Sequence, residues 1–277
     1  MSYHRPSELG AALDVLRQPG GTIIAGGTDV YPSSSPGHRP DYYLDVTALP
    51  GLSDITQDET GTRIGAAVSW TKLIQTPLPA AFDGLKEAGR EVGSVQIQNA
   101  GTIAGNLCNA SPAADGVPPL LTLDAQVEMV SAARGSRTLA LSDFITGVRQ
   151  TDLADDELLT AIHIPKQPNR ATSAFEKLGS RRYLVISITM TAVVLECDAS
   201  GRITHARVAV GACSPVAQRL HRLEQDMIGQ HLRDIVVRPD HLSGLSPIDD
   251  VRGSGTFRMD AVQQQCLAAL QRAGGHE

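Results

Sequence analysis

The chain has 277 residues, which suits one large domain or two ordinary ones and needs no disulfide or metal staple. Hydrophobic residues make up 42% and charged residues 19%, a balance that excludes a disordered chain. The net charge of −6, with Arg181-Arg182 the nearest thing to a basic run, excludes a nucleic-acid footprint.

No stretch of about 18 apolar residues is present, so no membrane span is expected. The polar N-terminus, Met1 to Pro6, lacks the apolar core of a signal peptide. Cys108, Cys197, Cys213 and Cys266 are scattered and form no C-x-x-C pair. Local zinc or iron–sulfur sites are therefore excluded, and reduced cytoplasmic thiols are expected. If the protein is a redox protein, its metal centres lie on other chains.

The first element reads as a helix capped by Ser7, with Leu9, Leu13 and Leu16 at helical spacing and Pro19-Gly20-Gly21 ending it. Thr22 to Ala25 reads as a short buried strand running into Gly26-Gly27-Thr28-Asp29, and Tyr31 to Pro40 as a loop. Tyr43 to Val46 and Arg63 to Ala67 are strands. Ala80 to Val92 is a helix weakened by Gly84 and Gly89. Asn99 to Asp115 reads as a second glycine-rich loop, followed by a helical turn at Leu120 to Leu123. Val127 to Val130, Arg137 to Leu141 and Leu158 to Ile164 are strands, and the polar run Lys166 to Thr172 is the main boundary.

Beyond it, Ile186 to Glu196 fits strand or helix, Asp198 to Gly201 is a turn, and Ala206 to Val210 alternates as a strand. Helices are expected around Val216 to Leu223 and over Asp260 to Ala273. Without a regular βαβ rhythm, this mixture predicts an α+β fold.

The first glycine-rich stretch, Ile23 to Asp29, has neither the spacing of a Rossmann turn nor the lysine of a P-loop. Adjacent glycines after a strand can still turn several N–H groups onto an anion, with a threonine hydroxyl as a further donor. An ordinary strand-to-turn connection has the same composition. The second stretch concentrates Gly101, Thr102, Gly105, Asn106, Ser111 and Asp115. Glycine and threonine suit phosphate oxygens, Asn106 can donate or accept, and Asp115 suits a sugar hydroxyl better than a diphosphate that would repel it. Two such stretches some 75 residues apart suit a dinucleotide.

At this point the sequence resembles the FAD-binding (medium) subunit of the xanthine dehydrogenase and carbon monoxide dehydrogenase family of molybdenum hydroxylases. The resemblance runs in order through Ala25–Asp29, Ile64–Ala67, Gly101–Asp115, Asp156–Pro165, Phe175–Arg182 and Ser246–Arg258. It implies a two-part FAD-binding domain of the PCMH (vanillyl-alcohol-oxidase-like) type over 1–168, with subdomains of about 1–52 and 53–168. A smaller α+β C-terminal domain with an antiparallel sheet would occupy 169–277.

The resemblance also implies site roles. Ile24, Ala25, Gly26, Gly27, Thr28 and Asp29 would wrap the diphosphate and ribityl, and Gly101, Thr102, Gly105 and Asn106 would complete the cradle. Asp115 would hold the adenosine ribose, Leu159 and Thr160 would lie against the flavin ring, and Lys177 would approach its pyrimidine edge. A cation there favours the anionic reduced flavin and raises its potential. A surface lysine beside Arg181 and Arg182 is the plainer reading of Lys177. Two departures stand out: Ala104 replaces a usual glycine, and Gln98 a frequent arginine.

No side chain is expected to act as a catalytic acid or base, and no metal ligand set is present. The molybdopterin cofactor and two [2Fe-2S] clusters would reside on a large and a small partner subunit. Electrons would pass from the clusters through FAD to NAD⁺, oxygen or a quinone. A stand-alone flavin oxidase or reductase, and a non-catalytic assembly protein with a decayed flavin site, are the competing readings. His163 is expected to face solvent, and Trp70 to pack in the core.

Overall fold

The computed structural model describes residues 1–30, 39–182 and 184–275. Most of the expected Tyr31–Pro40 loop, residues 31–38, lies outside the described residues. Three layered units follow one another along the chain.

The first is a parallel three-stranded sheet, β1 (Ser2–His4), β3 (Tyr42–Asp45) and β2 (Gly21–Ile24), in the order β1-β3-β2, with α1 (Leu9–Leu16) against it. Ala12, Leu13 and Leu16 of α1 bury against Tyr42, Leu44 and Val46, the one-sided apolar stripe expected of a surface helix. Ser7 does not cap this helix. Glu8 occupies the cap position with no side-chain bond, so the helix is held by its packing.

The second unit centres on an antiparallel sheet. Its strands are β4 (Ile55–Gln57), β5 (Gly61–Gly65), β6 (Gln126–Ser131), β7 (Gly135–Ala140) and β10 (Glu157–Pro165), ordered β4-β5-β10-β6-β7. Between β5 and β6 run α2 (Trp70–Gln75), α3 (Asp83–Glu91), α4 (Val95–Ala100), α5 (Ile103–Asn109) and α6 (Val117–Thr122); α7 (Leu141–Phe144) and the hairpin β8 (Ile145–Gly147)–β9 (Gln150–Thr151) precede β10. Trp70, Phe82, Leu107, Leu120, Met129 and Phe144 fill the core between sheet and helices, and Trp70 is core as expected. The two glycines of α3 serve close approach. A Cβ on Gly89 would meet the Trp70 ring at 2.9 Å, and one on Gly84 would meet the Ala174 backbone at 3.1 Å. Their cost in helix propensity is offset by that packing.

The third unit is an antiparallel sheet of β11 (Thr172–Leu178), β12 (Thr189–Cys197), β13 (Ile203–Gly211) and β14 (Gln218–Arg219). One face is covered by α9 (Gly255–Ala273), with α8 (His221–Met227) beside it. The ambiguous 186–196 run is a strand; β-branched residues pack on both faces there. The helix expected over Val216–Leu223 is replaced by β14 and a helix that starts only at His221. Arg219 explains the break: it extends to Glu224 (2.6 Å) and Asp124 (2.7 Å), anchoring β14 on β13. The last helix begins five residues before Asp260, because Ser254 caps it by accepting from the Phe257 N–H. His163 is half-exposed on β10, beside Glu128 at 3.0 Å.

Candidate functional site

β2 delivers the first glycine-rich stretch at its C-terminal end. Thr22, Ile23 and Ala25 line the cavity, whereas Ile24 is buried and is not among the lining residues. Gly27 has φ +69°, the left-handed region that glycine enters without penalty. Gly26 has no room for a side chain: a Cβ there would lie 2.0 Å from the Ala100 carbonyl oxygen and 2.8 Å from Gly101 Cα. The two glycine-rich stretches therefore cross backbone to backbone, with the Thr28 side chain lying against Gly101.

The second stretch differs from the expected loop. It is the end of α4, the short helix α5 and a turn. Gly101 and Ile103 are stitched to the start of α2 and the chain just before it, by Trp70 N–H to Gly101 O (3.1 Å) and Ile103 N–H to Val68 O (3.2 Å). The Thr102 hydroxyl accepts from the Gly105 N–H at 3.0 Å, a cap worth about 1 kcal/mol. Ile103, Ala104 and Leu107 are buried in the core. Ala104, the departure noted above, packs in the core cluster and also lines the cavity described next. Gln98 likewise has a local task, donating to the Arg90 carbonyl at 2.9 Å. Asn106 braces the fold, its Oδ1 accepting from Gly116 N–H at 3.2 Å.

These elements wall a cavity of about 910 Å³, near the upper end of the roughly 300–1,000 Å³ typical of ligand sites. Ala25, Gly26, Gly27, Thr28, Asp29, Gly101, Thr102, Gly105, Asn106, Asp115 and Leu159 line it together. Thr160 does not. A β-bulge in β10 falls between Leu159 and Ala161 and turns the Thr160 hydroxyl to Glu128 on the neighbouring strand. Leu158 takes the place beside Leu159 instead. Glu157 fixes the start of that strand through Arg137 (2.7 Å) and the Ala154 N–H (3.0 Å), and the Arg137 bonds hold its carboxyl below the usual range.

At one end Asp115 meets the third unit. Lys177 Nζ donates to Asp115 Oδ2 at 2.7 Å and the Ser187 hydroxyl to Oδ1 at 2.6 Å. All three side chains are buried. Burial raises the Asp115 pKa, while the Lys177 charge and the two hydrogen bonds oppose the rise. This contact sets side by side, 2.7 Å apart, two groups that the expected roles put at opposite ends of an extended dinucleotide. Lys177 is also no free surface lysine. Tyr43, Val46, Leu158 and Leu159 add apolar wall to the cavity.

Several lining residues gave no signal in the sequence. Arg149 lies in the β8–β9 turn at φ +58° and donates to the Asn109 carbonyl at 3.2 Å. Leu184, Val185 and Ile186 arrive from the third unit, far along the chain from both glycine-rich stretches. The Cys108 thiol is exposed yet surrounded by protein, because it opens into the cavity; burial pushes its pKa upward.

A dinucleotide fits this site: two glycine-rich turns meet in its wall, Gly26 admits no Cβ, and polar and apolar residues share the lining. Residues 1–167 match the FAD binding domain in molybdopterin dehydrogenase, and residues 173–273 the CO dehydrogenase flavoprotein C-terminal domain. The chain is 32% identical to a xanthine dehydrogenase FAD-binding subunit of Escherichia coli, over 98% of this chain and 95% of that protein. It is 30% identical to the nicotine 6-hydroxylase medium subunit of Paenarthrobacter nicotinovorans, covering 98% and 96%. Among solved structures, a chain of the reconstituted CO dehydrogenase of Oligotropha carboxidovorans superposes with a TM-score of 0.90 at 25% identity, covering 100% of this chain and 98% of that one. No helix among the described residues is long and apolar enough to cross a membrane. Loop crossing, cavity and both matched domains agree: the chain belongs to the FAD-binding subunits of the xanthine dehydrogenase and carbon monoxide dehydrogenase family of molybdenum hydroxylases.

Proposed function

We propose that this subunit relays electrons, taking them from [2Fe-2S] clusters on a small partner subunit and passing them to an acceptor such as NAD⁺, oxygen or a quinone. A large partner subunit would carry the molybdopterin cofactor, and the complex would work in the cytoplasm. FAD, when bound, would supply the redox chemistry that links one-electron centres to the acceptor. The chain's own residues set position and potential. The observation that carries this reading is the backbone crossing at Gly26 and Gly101 over a cavity that reaches the Asp115–Lys177 pair.

In this reading Ala25, Gly26, Gly27, Thr28 and Asp29, with Gly101, Thr102 and Gly105, surround the diphosphate. Asp115 and Lys177 share the flavin's pyrimidine edge, where an N–H donor lies beside a carbonyl acceptor. A carboxylate next to an ammonium complements that pattern, and the ammonium stabilises negative charge at the edge. The apolar wall with Tyr43, Leu158 and Leu159 receives the adenine. Co-expression with candidate iron–sulfur and molybdopterin subunits tests the relay. The expected result is a complex that reduces an acceptor, with the isolated chain yellow and nearly inactive. Turnover by the isolated chain with an organic donor would instead identify a stand-alone oxidase, and a chain unable to hold flavin an assembly protein.

Cys108 provides a direct footprint of the ligand. Maleimide labelling of flavin-free protein is expected at Cys108, slowly at pH 7 and faster as pH rises, because the thiol's pKa is raised. FAD is expected to slow labelling by about ten-fold or more, since it covers the cavity face of α5. Equal rates with and without FAD, read by peptide mass spectrometry, would refute the ligand's placement.

A further inference from the structure

A second cavity, of about 610 Å³, lies behind Lys177. Its walls are the C-terminal half of α3, the strand β11 with the residues that follow it, and the last turn of α9. Lys177 lines it, and Val185 lines both this cavity and the flavin cavity. The Asp115–Lys177 pair therefore stands as a partition between them.

Five cations, Arg90, Lys177, Arg181, Arg182 and Arg272, face three carboxylates, Glu87, Glu91 and Glu176. That is a cationic excess on a chain whose net charge is −6. Lys177 is committed to Asp115, and Arg272 bridges Glu87 (2.6 Å) and Glu176 (2.7 Å). Arg90 makes no side-chain hydrogen bond or ion pair among the described residues. Arg181 is held in place by its own loop: Nε and Nη2 both donate to the Leu184 carbonyl, at 3.2 and 2.5 Å, leaving Nη1 over. Leu184 takes a left-handed φ of +51° to form that contact, a conformation that costs a non-glycine residue energy and tends to mark ligand sites.

A fixed guanidinium beside an unpaired one, in a pocket of ligand size, is suited to the oxygens of a phosphate. We propose that this pocket binds a small phosphate-bearing anion through Arg90 and Arg181, at a site independent of the flavin cavity. Glu91 opposes it, so the anion competes there with one like charge.

Calorimetric titration of the flavin-loaded protein with ADP, and separately with inorganic pyrophosphate, tests this. The diphosphate cradle is then already filled and cannot take the probe. Saturable binding with a Kd below about 1 mM is expected. The Arg90→Gln/Arg181→Gln double variant should weaken it by about ten-fold or more, and Glu91→Gln should tighten it by about three-fold. Arg222→Gln, an exposed arginine of α8 outside the pocket, should leave it unchanged. Tighter binding of ADP assigns the site to a nucleotide, and equal binding of both probes to free phosphates; either supports the proposal. If the double variant loses its flavin, Glu91→Gln decides alone. The proposal fails if neither probe binds the loaded protein or if only flavin-free protein binds. It fails equally if the double variant binds undiminished, if Glu91→Gln does not tighten binding, or if Arg222→Gln loses as much.

Discussion

Replacing Gly26 by valine should yield a folded protein that purifies without flavin. Its new Cβ would fall 2.0 Å from a backbone oxygen, that of Ala100, so no side-chain rotation relieves the clash. Overpacking of this kind costs about 1–3 kcal/mol, and here the displacement falls on both amide-bearing loops. Flavin affinity should therefore drop by about 100-fold or more, the equivalent of roughly 2.7 kcal/mol. Gly27→Ala acts differently: at φ +69° a Cβ costs about 1–2 kcal/mol, a milder loss. Gly10→Ala is the control, because a Cβ at Gly10 on α1 meets nothing within 4 Å. Flavin absorbance per chain reads the series. Full flavin content in Gly26→Val would show that the crossing does not form the cradle.

The second large effect is expected at Lys177. Removing one member of a buried ion pair leaves an uncompensated charge and costs about 3–5 kcal/mol. Lys177→Met should show that loss near neutral pH, with flavin binding weakened as the Asp115 end loosens. The sign of its pH dependence follows from Asp115. Burial already raises that carboxyl's pKa, and Lys177 is the main influence holding it down. Without Lys177 the folded pKa rises further above the unfolded value. An acid shifted upward stabilises the fold only while protonated, so the variant's deficit should be small near pH 4 and grow as pH rises through the unfolded value toward the folded one. Asp115→Asn in the Lys177→Met background should recover much of the loss. Urea denaturation at acidic and neutral pH provides the measurement, and a deficit independent of pH would show that Lys177 serves by packing alone.

Much of the fold was legible because local patterns coincide with burial. The strands at Tyr42–Asp45, Gln126–Ser131 and Glu157–Pro165 and the final helix follow from apolar periodicity. The α5 segment was illegible as a helix: one glycine and two asparagines in seven residues give it poor propensity, and it exists because Thr102 caps it and Ile103 and Leu107 bury. The first loop showed plainly as Gly-Gly-Thr-Asp. Thr160 was misplaced because a bulge shifts the register of β10 by one residue, and nothing local announces a bulge. The pairing of Asp115 with Lys177 was illegible for another reason. Its partners, Lys177 and Ser187, lie in another sheet, and sequence spacing says nothing about which groups tertiary packing will join. The left-handed Arg149 was equally silent, since arginine gives no hint of that conformation.

The Leu184–Ile186 run gives the flavin cavity a wall that belongs to the C-terminal unit, while both glycine-rich crossings belong to the N-terminal units. A ligand enclosed in this way acts on the unfolding equilibrium of both parts at once, because separating them opens its pocket. Saturating FAD should therefore merge their melting into one transition and raise it. Flavin-free protein would be free to lose the C-terminal sheet first.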